Sequence, residues 1–395
     1  MTKDEVDDFG WPALYRRNLR TSGNVQEGSV GFGLAVADAV EHRGGLVSAR
    51  NAACNRFKHC SHTRNWGQAQ EMRNKLRCRR FGLVTLMTET APKEEPLDWR
   101  PKGVLEEQAL AKFRYVQEEL KVREPLEFRL SYLSEAPPRS IRAQLRRRRG
   151  RLSVVVDLKR RSATTEPPRE FHALNMYAAA QILVQVREQI PVAAKYGLDA
   201  IMFGADRTLY DQDCASLADF TRHWAYFHRE DPDSAPPVIY KDVIVHELQL
   251  AEAAEAGAKA ACLIAGVCLP DLEKLLNAAY VLGMEVMVEV HTEEELNYAF
   301  EAGAGIYLFT DVDRATRRVI KGRCVELFDK YRLDLSNAGA VCLGGGRIET
   351  LEQVEQLRDV GADGIVVGGK LMASMANGDS ETLSRVLQAL LLPGN

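Results

Sequence analysis

The sequence predicts an α/β protein, a (β/α)8 TIM barrel with an N-terminal helical extension, on three observations. Eight short apolar runs recur after Arg151. They are rich in small and β-branched residues and nearly continuous in apolar character, as parallel strands buried on both faces are. Helical periodicity fills the gaps between them, and eight such units in about 245 residues match the usual size of this barrel. An open doubly wound sheet is the alternative, but eight units with a terminal helix favour closure.

The totals agree with a globular chain. Of 395 residues, 46% are apolar and 27% charged, and the net charge of −3 gives no general attraction to nucleic acid or membrane surfaces. No apolar run approaches the roughly 20 residues of a spanning helix, so no membrane segment is expected. Of the eight cysteines, Cys262, Cys268 and Cys342 sit inside apolar runs, which predicts buried free thiols in a reducing, intracellular compartment. Cys54, His59, Cys60, His62 and Cys78 cluster in sequence but fit no standard zinc spacing, so no metal site is expected.

Taken in order, residues 1–95 lack sustained periodicity, open acidic (Asp4, Glu5, Asp7, Asp8) and turn basic between Arg16 and Arg80. They are expected to form a poorly defined extension, a targeting or disordered segment, with an ordered module as the alternative. Residues 96–151 read as a helical, lid-like extension of the barrel, which itself occupies 152–395. Spacing predicts a helix over 104–122 with Leu105, Ala109, Phe113, Val116 and Leu120 on one face. A second short helix is predicted over Ser140–Arg147, running into the basic stretch Arg146–Arg151. Cations suit a helix C-terminus, so this stretch reads as solvated surface rather than a nucleic-acid patch.

The strands are predicted at 152–158, 199–205, 237–240, 260–266, 285–291, 305–310, 340–344 and 364–369. In such barrels the active site lies at the C-terminal strand ends. Those ends carry Asp157 and Lys159; Asp206, Arg207 and Tyr210; Lys241 and Asp242; Glu289 and His291; and Thr310 and Asp311. Strands 7 and 8 end in glycines, Gly344–Gly346 and Gly368–Gly369, beside Arg347 and Lys370. Glycine lets the backbone approach an anion and aim N–H groups at it, so these two ends predict a phosphate cradle. Lys159 and Lys241 with Asp157 and Glu289 suggest acid–base chemistry on a phosphorylated small molecule. The same charges also occur as plain ion pairs at strand ends.

Residues from about 104 to 392 resemble indole-3-glycerol-phosphate synthase, in its plant and bacterial forms. The family's strand 1 signature, approximately A-E-[IV]-K-[KR]-x-S-P-S-[KR]-G, corresponds to "VDLKRRSATTE", and its K-[DE]-F-[IV] to "KDVIV". "LIAGVCLPD" through "LGMEVMVEVHTEEEL" and the closing "VGADGIVVGGKLM" are similar too, as are the helices before strand 1. The resemblance implies decarboxylation and dehydration of a carboxyphenylamino-deoxyribulose phosphate to an indole, in tryptophan biosynthesis, with no metal or organic cofactor. It implies Lys241 as general acid and Lys159 as holder of the substrate carboxylate and aid to dehydration. Glu289 becomes a carboxylate of the acid–base set, with Asp157 where the family has glutamate. Ser162 would face the phosphate, beside the backbone of Gly346, Arg347, Ile348, Gly368, Gly369 and Lys370, and Thr310 is counted with them among the substrate- and phosphate-binding residues. Likeness to plant forms makes a plastid possible; otherwise the cytoplasm is expected.

There are departures. Asp157 is one methylene shorter than glutamate, S-P-S-K-G becomes Ser162 to Glu166, and a helical segment near Tyr177–Gln189 reads as inserted. G-I-N-N-R becomes Leu308 to Val312, which removes an asparagine and an arginine, and S-E-S-G becomes Gly344 to Arg347. Three functions are therefore carried forward: a divergent synthase, a barrel that binds or assembles without catalysis, and a different sugar-phosphate enzyme in which Glu166, Asp311 and Arg347 set specificity.

Overall fold

The computed structural model describes residues 101–122, 140–146, 151–162, 168–171, 174–189 and 198–391. The predicted extension 1–95, with its cysteine and histidine cluster, lies outside them, as do Glu166 and the Lys370 side chain. Eight parallel strands close into a barrel: β1 Ser153–Leu158, β2 Ala200–Gly204, β3 Val238–Lys241, β4 Ala260–Ile264, β5 Glu285–Val290, β6 Ile306–Thr310, β7 Val341–Gly345 and β8 Gly364–Val367. Each pairs with the next, and β8 returns to β1.

Alternation along the strands decides what faces inward. Val155, Met202, Ile239, Cys262, Met287, Leu308, Leu343 and Val366 fill the barrel interior. Their neighbours Val154, Val156, Ile201, Phe203, Tyr240, Leu263, Val288 and Tyr307 pack outward against the helices. Both faces are apolar, which is why the runs read as continuous in the sequence. One further step of two residues beyond Val155, Ile239 and Met287 brings Asp157, Lys241 and Glu289 to the inner face at the C-terminal mouth.

Two predicted helices precede the barrel. Helix α1 (Val104–Tyr115) continues as a π-helical turn to Leu120, and all five predicted apolar positions are buried. Lys112 of α1 stands 2.8 Å from both Asp206 after β2 and Asp242 after β3. Val104 N–H donates to the Ala315 carbonyl at 3.0 Å, in the loop after β6. Gly103 permits that approach, because a Cβ there would lie 2.4 Å from the same oxygen. So α1 lies along the mouth of the barrel.

Helix α2 (Ile141–Leu145), N-capped by Ser140, adds Ile141 and Leu145 to the barrel interior at the opposite end. Arg146 donates to the Gly339 carbonyl at 2.6 Å, and Arg151 pairs with Asp199. The described arginines of the basic stretch therefore tie down the barrel's lower end.

The segment that reads as inserted corrects one expectation. Helix α3 (Met176–Gln189) is the regular connection between β1 and β2, packed between the helices Cys214–Phe227 and Ser380–Leu391. What is unusual is the ribbon before it, in which Arg161–Ser162 pairs antiparallel with Arg169–Glu170.

Candidate active site

At the mouth, β1, β3 and β5 deliver four charged groups to one cleft. Lys159 hydrogen-bonds Asp157. Lys241 Nζ lies 3.9 Å from Asp157 Oδ1 and 3.6 Å from Glu289 Oε2, within ion-pair range of both carboxylates and beyond hydrogen-bond reach of either. Glu289 is fully buried, and Asp157 and Lys241 nearly so.

A fifth charge enters that the strand ends did not announce. Arg314, from the loop after β6, grips Glu289 with two parallel hydrogen bonds, Nε to Oε1 and Nη2 to Oε2, the second at 2.9 Å. Such bidentate geometry is specific to arginine. The family's arginine position is Val312, but the same loop supplies a guanidinium two residues later. "DVDRATRR" held that signal, yet only the loop's path selects Arg314 from its neighbours. On the other side of Glu289, His291 Nε2 lies 3.1 Å from Oε1, and its Nδ1 lies 2.9 Å from Glu295.

These contacts set the protonation states. Burial works against the charge on Lys241, but Asp157 and Glu289 outweigh it and hold the ammonium above its usual range. Burial pushes Lys159 down, helped by the charges of Lys241 and Arg314 and opposed by Asp157. Burial would raise Glu289, yet Arg314 and Lys241 hold it well below the usual carboxylate range. Asp157 is lowered as well, since Lys159 and Lys241 more than offset its burial. His291 rises to about 9; burial opposes its charge, and the hydrogen bonds to Glu289 and Glu295 prevail. Asp157 with Lys159 and Glu289 with Arg314 balance in charge, so the ammonium of Lys241 is in surplus.

The far wall is built from backbone. Ser162, Thr310, Gly345, Gly346, Arg347, Ile348, Gly368 and Gly369 line the same cleft as the charged groups. Gly346 has φ 91°, and a Cβ there would lie 2.4 Å from Thr310 Oγ1 and 2.5 Å from the Asp311 nitrogen. Only glycine fits, and it seals the ends of β6 and β7 together. Gly368 caps the helix Gly369–Ala376, whose first turn opens on the cleft. A Cβ on Gly369 would meet nothing within 4 Å, so that backbone is open to a ligand. Helix N-termini and glycine turns of this kind suit an anion.

Every predicted site residue except Lys370, whose side chain lies outside the described part, lines the one cleft. Three strand-end carboxylates do not, one of them Asp206, which pairs with Lys112. Asp311 accepts from the backbone of Gly322 (3.2 Å) and Cys324 (2.8 Å), capping the helix Arg323–Asn337, which corrects its expectation as a specificity group. Asp242 is turned to Lys112 and Tyr240; burial raises it to about 6 despite the lysine.

The model of the family "Indole-3-glycerol phosphate synthase" matches residues 106–382, more than half of the chain. Among curated relatives of that name, the protein from Opitutus terrae is 30% identical over 243 residues, 60% of this chain and 82% of its own. That from Chloroherpeton thalassium is 29% identical over 267 residues, 65% of this chain and 92% of its own. The Deinococcus radiodurans protein is 35% identical over 157 residues, 40% and 56% respectively.

Proposed function

The chain belongs to the indole-3-glycerol phosphate synthase family, and on that premise we propose that it closes the indole ring of 1-(2-carboxyphenylamino)-1-deoxyribulose 5-phosphate, as a carboxy-lyase of tryptophan biosynthesis. One observation carries this reading: a surplus buried ammonium, Lys241, stands between two ionised carboxylates, facing a glycine-lined anion cradle.

The substrate's phosphate would sit against Gly346, Arg347, Ile348, Gly368 and Gly369, with Ser162 and Lys370 beside it. That anchors the sugar chain with its carbonyl toward Lys241. The aromatic carbon bearing the carboxylate attacks this carbonyl carbon, and Lys241 gives its proton to the oxygen, which becomes a hydroxyl. Loss of carbon dioxide returns the bonding electrons to the ring. Departure of that hydroxyl as water, with a proton from the adjacent carbon, completes the indole. Lys159, a cation paired with Asp157 whose burial eases the release of its proton, holds the carboxylate and then assists dehydration. Glu289 keeps Lys241 charged, and Asp157, where the family has glutamate, orients Lys159. Thr310 lines the wall between the two halves.

A second reading, a barrel that binds the sugar phosphate without turning it over, has one observation in its favour: the grip of Arg314 on Glu289 occupies a carboxylate that the chemistry uses. Purified full-length chain incubated with the substrate separates the two. Indoleglycerol fluorescence rising in step with released carbon dioxide is the expected result. Binding of substrate with neither product would sink the first reading and leave the second.

A further inference from the structure

Strand β2 departs from its neighbours at the mouth. The inner face receives a side chain there from β1, β3, β5 and β6, whereas β2 ends in Gly204, paired in register with Lys241. The following turn fills the place. A Cβ on Gly204 would stand 2.7 Å from Cγ and 2.8 Å from Cδ2 of Tyr210, so the tyrosine ring lies where an inward side chain of β2 would project.

The backbone fixes the ring in position. Tyr210 N–H donates to the Asp206 carbonyl at 2.8 Å, and its carbonyl accepts from Arg160 N–H at 3.1 Å, next to Lys159. Asp211 follows at φ 57° and ends the turn. Tyr210 is 4% exposed, and its hydroxyl has no hydrogen-bond partner among the described residues. Its side chain borders a small cavity of about 20 Å³ with Arg314 and Val312, both of which also line the main cleft. Burial keeps the phenol protonated, against the pull of Arg314 and Lys241, so the hydroxyl has a proton to donate at neutral pH. A buried hydroxyl without a partner destabilises the protein that carries it. The geometry makes sense once a ligand supplies the acceptor.

We propose that Tyr210 is a substrate-specificity residue, whose hydroxyl donates a hydrogen bond to the aromatic carboxylate of the ligand, shared with Arg314 and Lys159. This rests on the function proposed above. Within the strand-end cluster three cations (Lys159, Lys241, Arg314) meet two anions (Asp157, Glu289), and a carboxylate completes that cluster's balance; Arg169, Arg347 and Glu349 also line the cleft. A neutral donor between cations reads such a group by direction as well as charge.

The test uses full-length Tyr210→Phe, which keeps the ring over Gly204 and removes only the hydroxyl. Two probes are titrated calorimetrically: the reduced substrate analogue carboxyphenylamino-deoxyribitol phosphate, and phenylamino-deoxyribitol phosphate, which lacks the carboxylate. The Kd for the first is expected to rise about 10- to 100-fold while the second stays within about twofold. The melting temperature without ligand should hold or rise. Equal losses for both probes, no loss for either, or a lower melting temperature would each overturn the proposal, the last by showing the hydroxyl satisfied within the protein. If wild type binds neither probe, the proposed function fails and this inference with it. If wild type prefers the carboxylate and Tyr210→Phe keeps that preference, this inference alone fails.

Discussion

Lys112 and Lys241 each stand between two carboxylates, at different distances. Lys112 is 2.8 Å from both Asp206 and Asp242, and Tyr240 adds a 2.7 Å hydrogen bond to Asp242. Lys241 is 3.6 and 3.9 Å from its pair, and each of those carboxylates is already held by another cation. Both lysines are kept charged by their neighbours. The first group has spent its hydrogen bonds on joining α1 to the ends of β2 and β3. The second keeps its proton for something else. Satisfied geometry marks a clamp, and charge without satisfied geometry marks a reactive group.

Breaking the second cluster should cost chemistry. Lys241→Met removes the general acid, and kcat is expected to fall about 10³-fold or more in steady-state assays. The melting temperature should change little, because Asp157 retains Lys159 and Glu289 retains Arg314. A drop below about tenfold would make Lys241 an ordinary ion-pair partner. Glu289→Gln should lower kcat about 100-fold, since it removes one of the two charges that keep Lys241 protonated and frees Arg314. A change confined to KM would instead assign Glu289 to binding.

Breaking the first cluster should cost stability. Lys112→Met leaves two carboxylates facing each other, both largely buried, and should destabilise the protein by about 2–3 kcal/mol, with kcat per folded molecule within about twofold. Thermal denaturation with parallel assays reads both.

The smallest expected effect concerns pH. His291 rises from 6.5 to about 9 on folding. A raised cation stabilises fully below its unfolded value and loses that contribution as pH climbs through the folded one. The melting temperature should therefore fall by a few degrees between pH 6.5 and 9, and His291→Gln should flatten that slope. An equal slope in the variant would assign the pH dependence to other groups.

The contrast also bears on what the sequence could reveal. The eight strands were legible because burial on both faces writes itself as continuous apolar runs. Asp157, Lys241 and Glu289 were legible because a period of two fixes which strand residue faces the mouth, and glycine at two strand ends is a local signal. Arg314 and Lys112 were not, and Tyr210 was legible only as one of three residues after strand 2, because their partners are chosen by loop paths and by a helix far away in the chain. Asp311 shows the same limit. At a strand end its carboxylate can turn into the cleft or cap a helix, and the 2.8 Å bond to Cys324 N, thirteen residues on, made it a cap. Helix α3 read as an addition for a related reason: the ribbon before it displaces a regular element along the chain without moving it from its place in the barrel.

The most direct test sets the two lysines side by side. Lys241→Met and Lys112→Met, made in the full-length protein, are assayed for indoleglycerol formation and for melting temperature. The account predicts that the first loses turnover and keeps its stability, while the second loses stability and keeps its turnover. Turnover that survives in Lys241→Met, or disappears only in Lys112→Met, would contradict it.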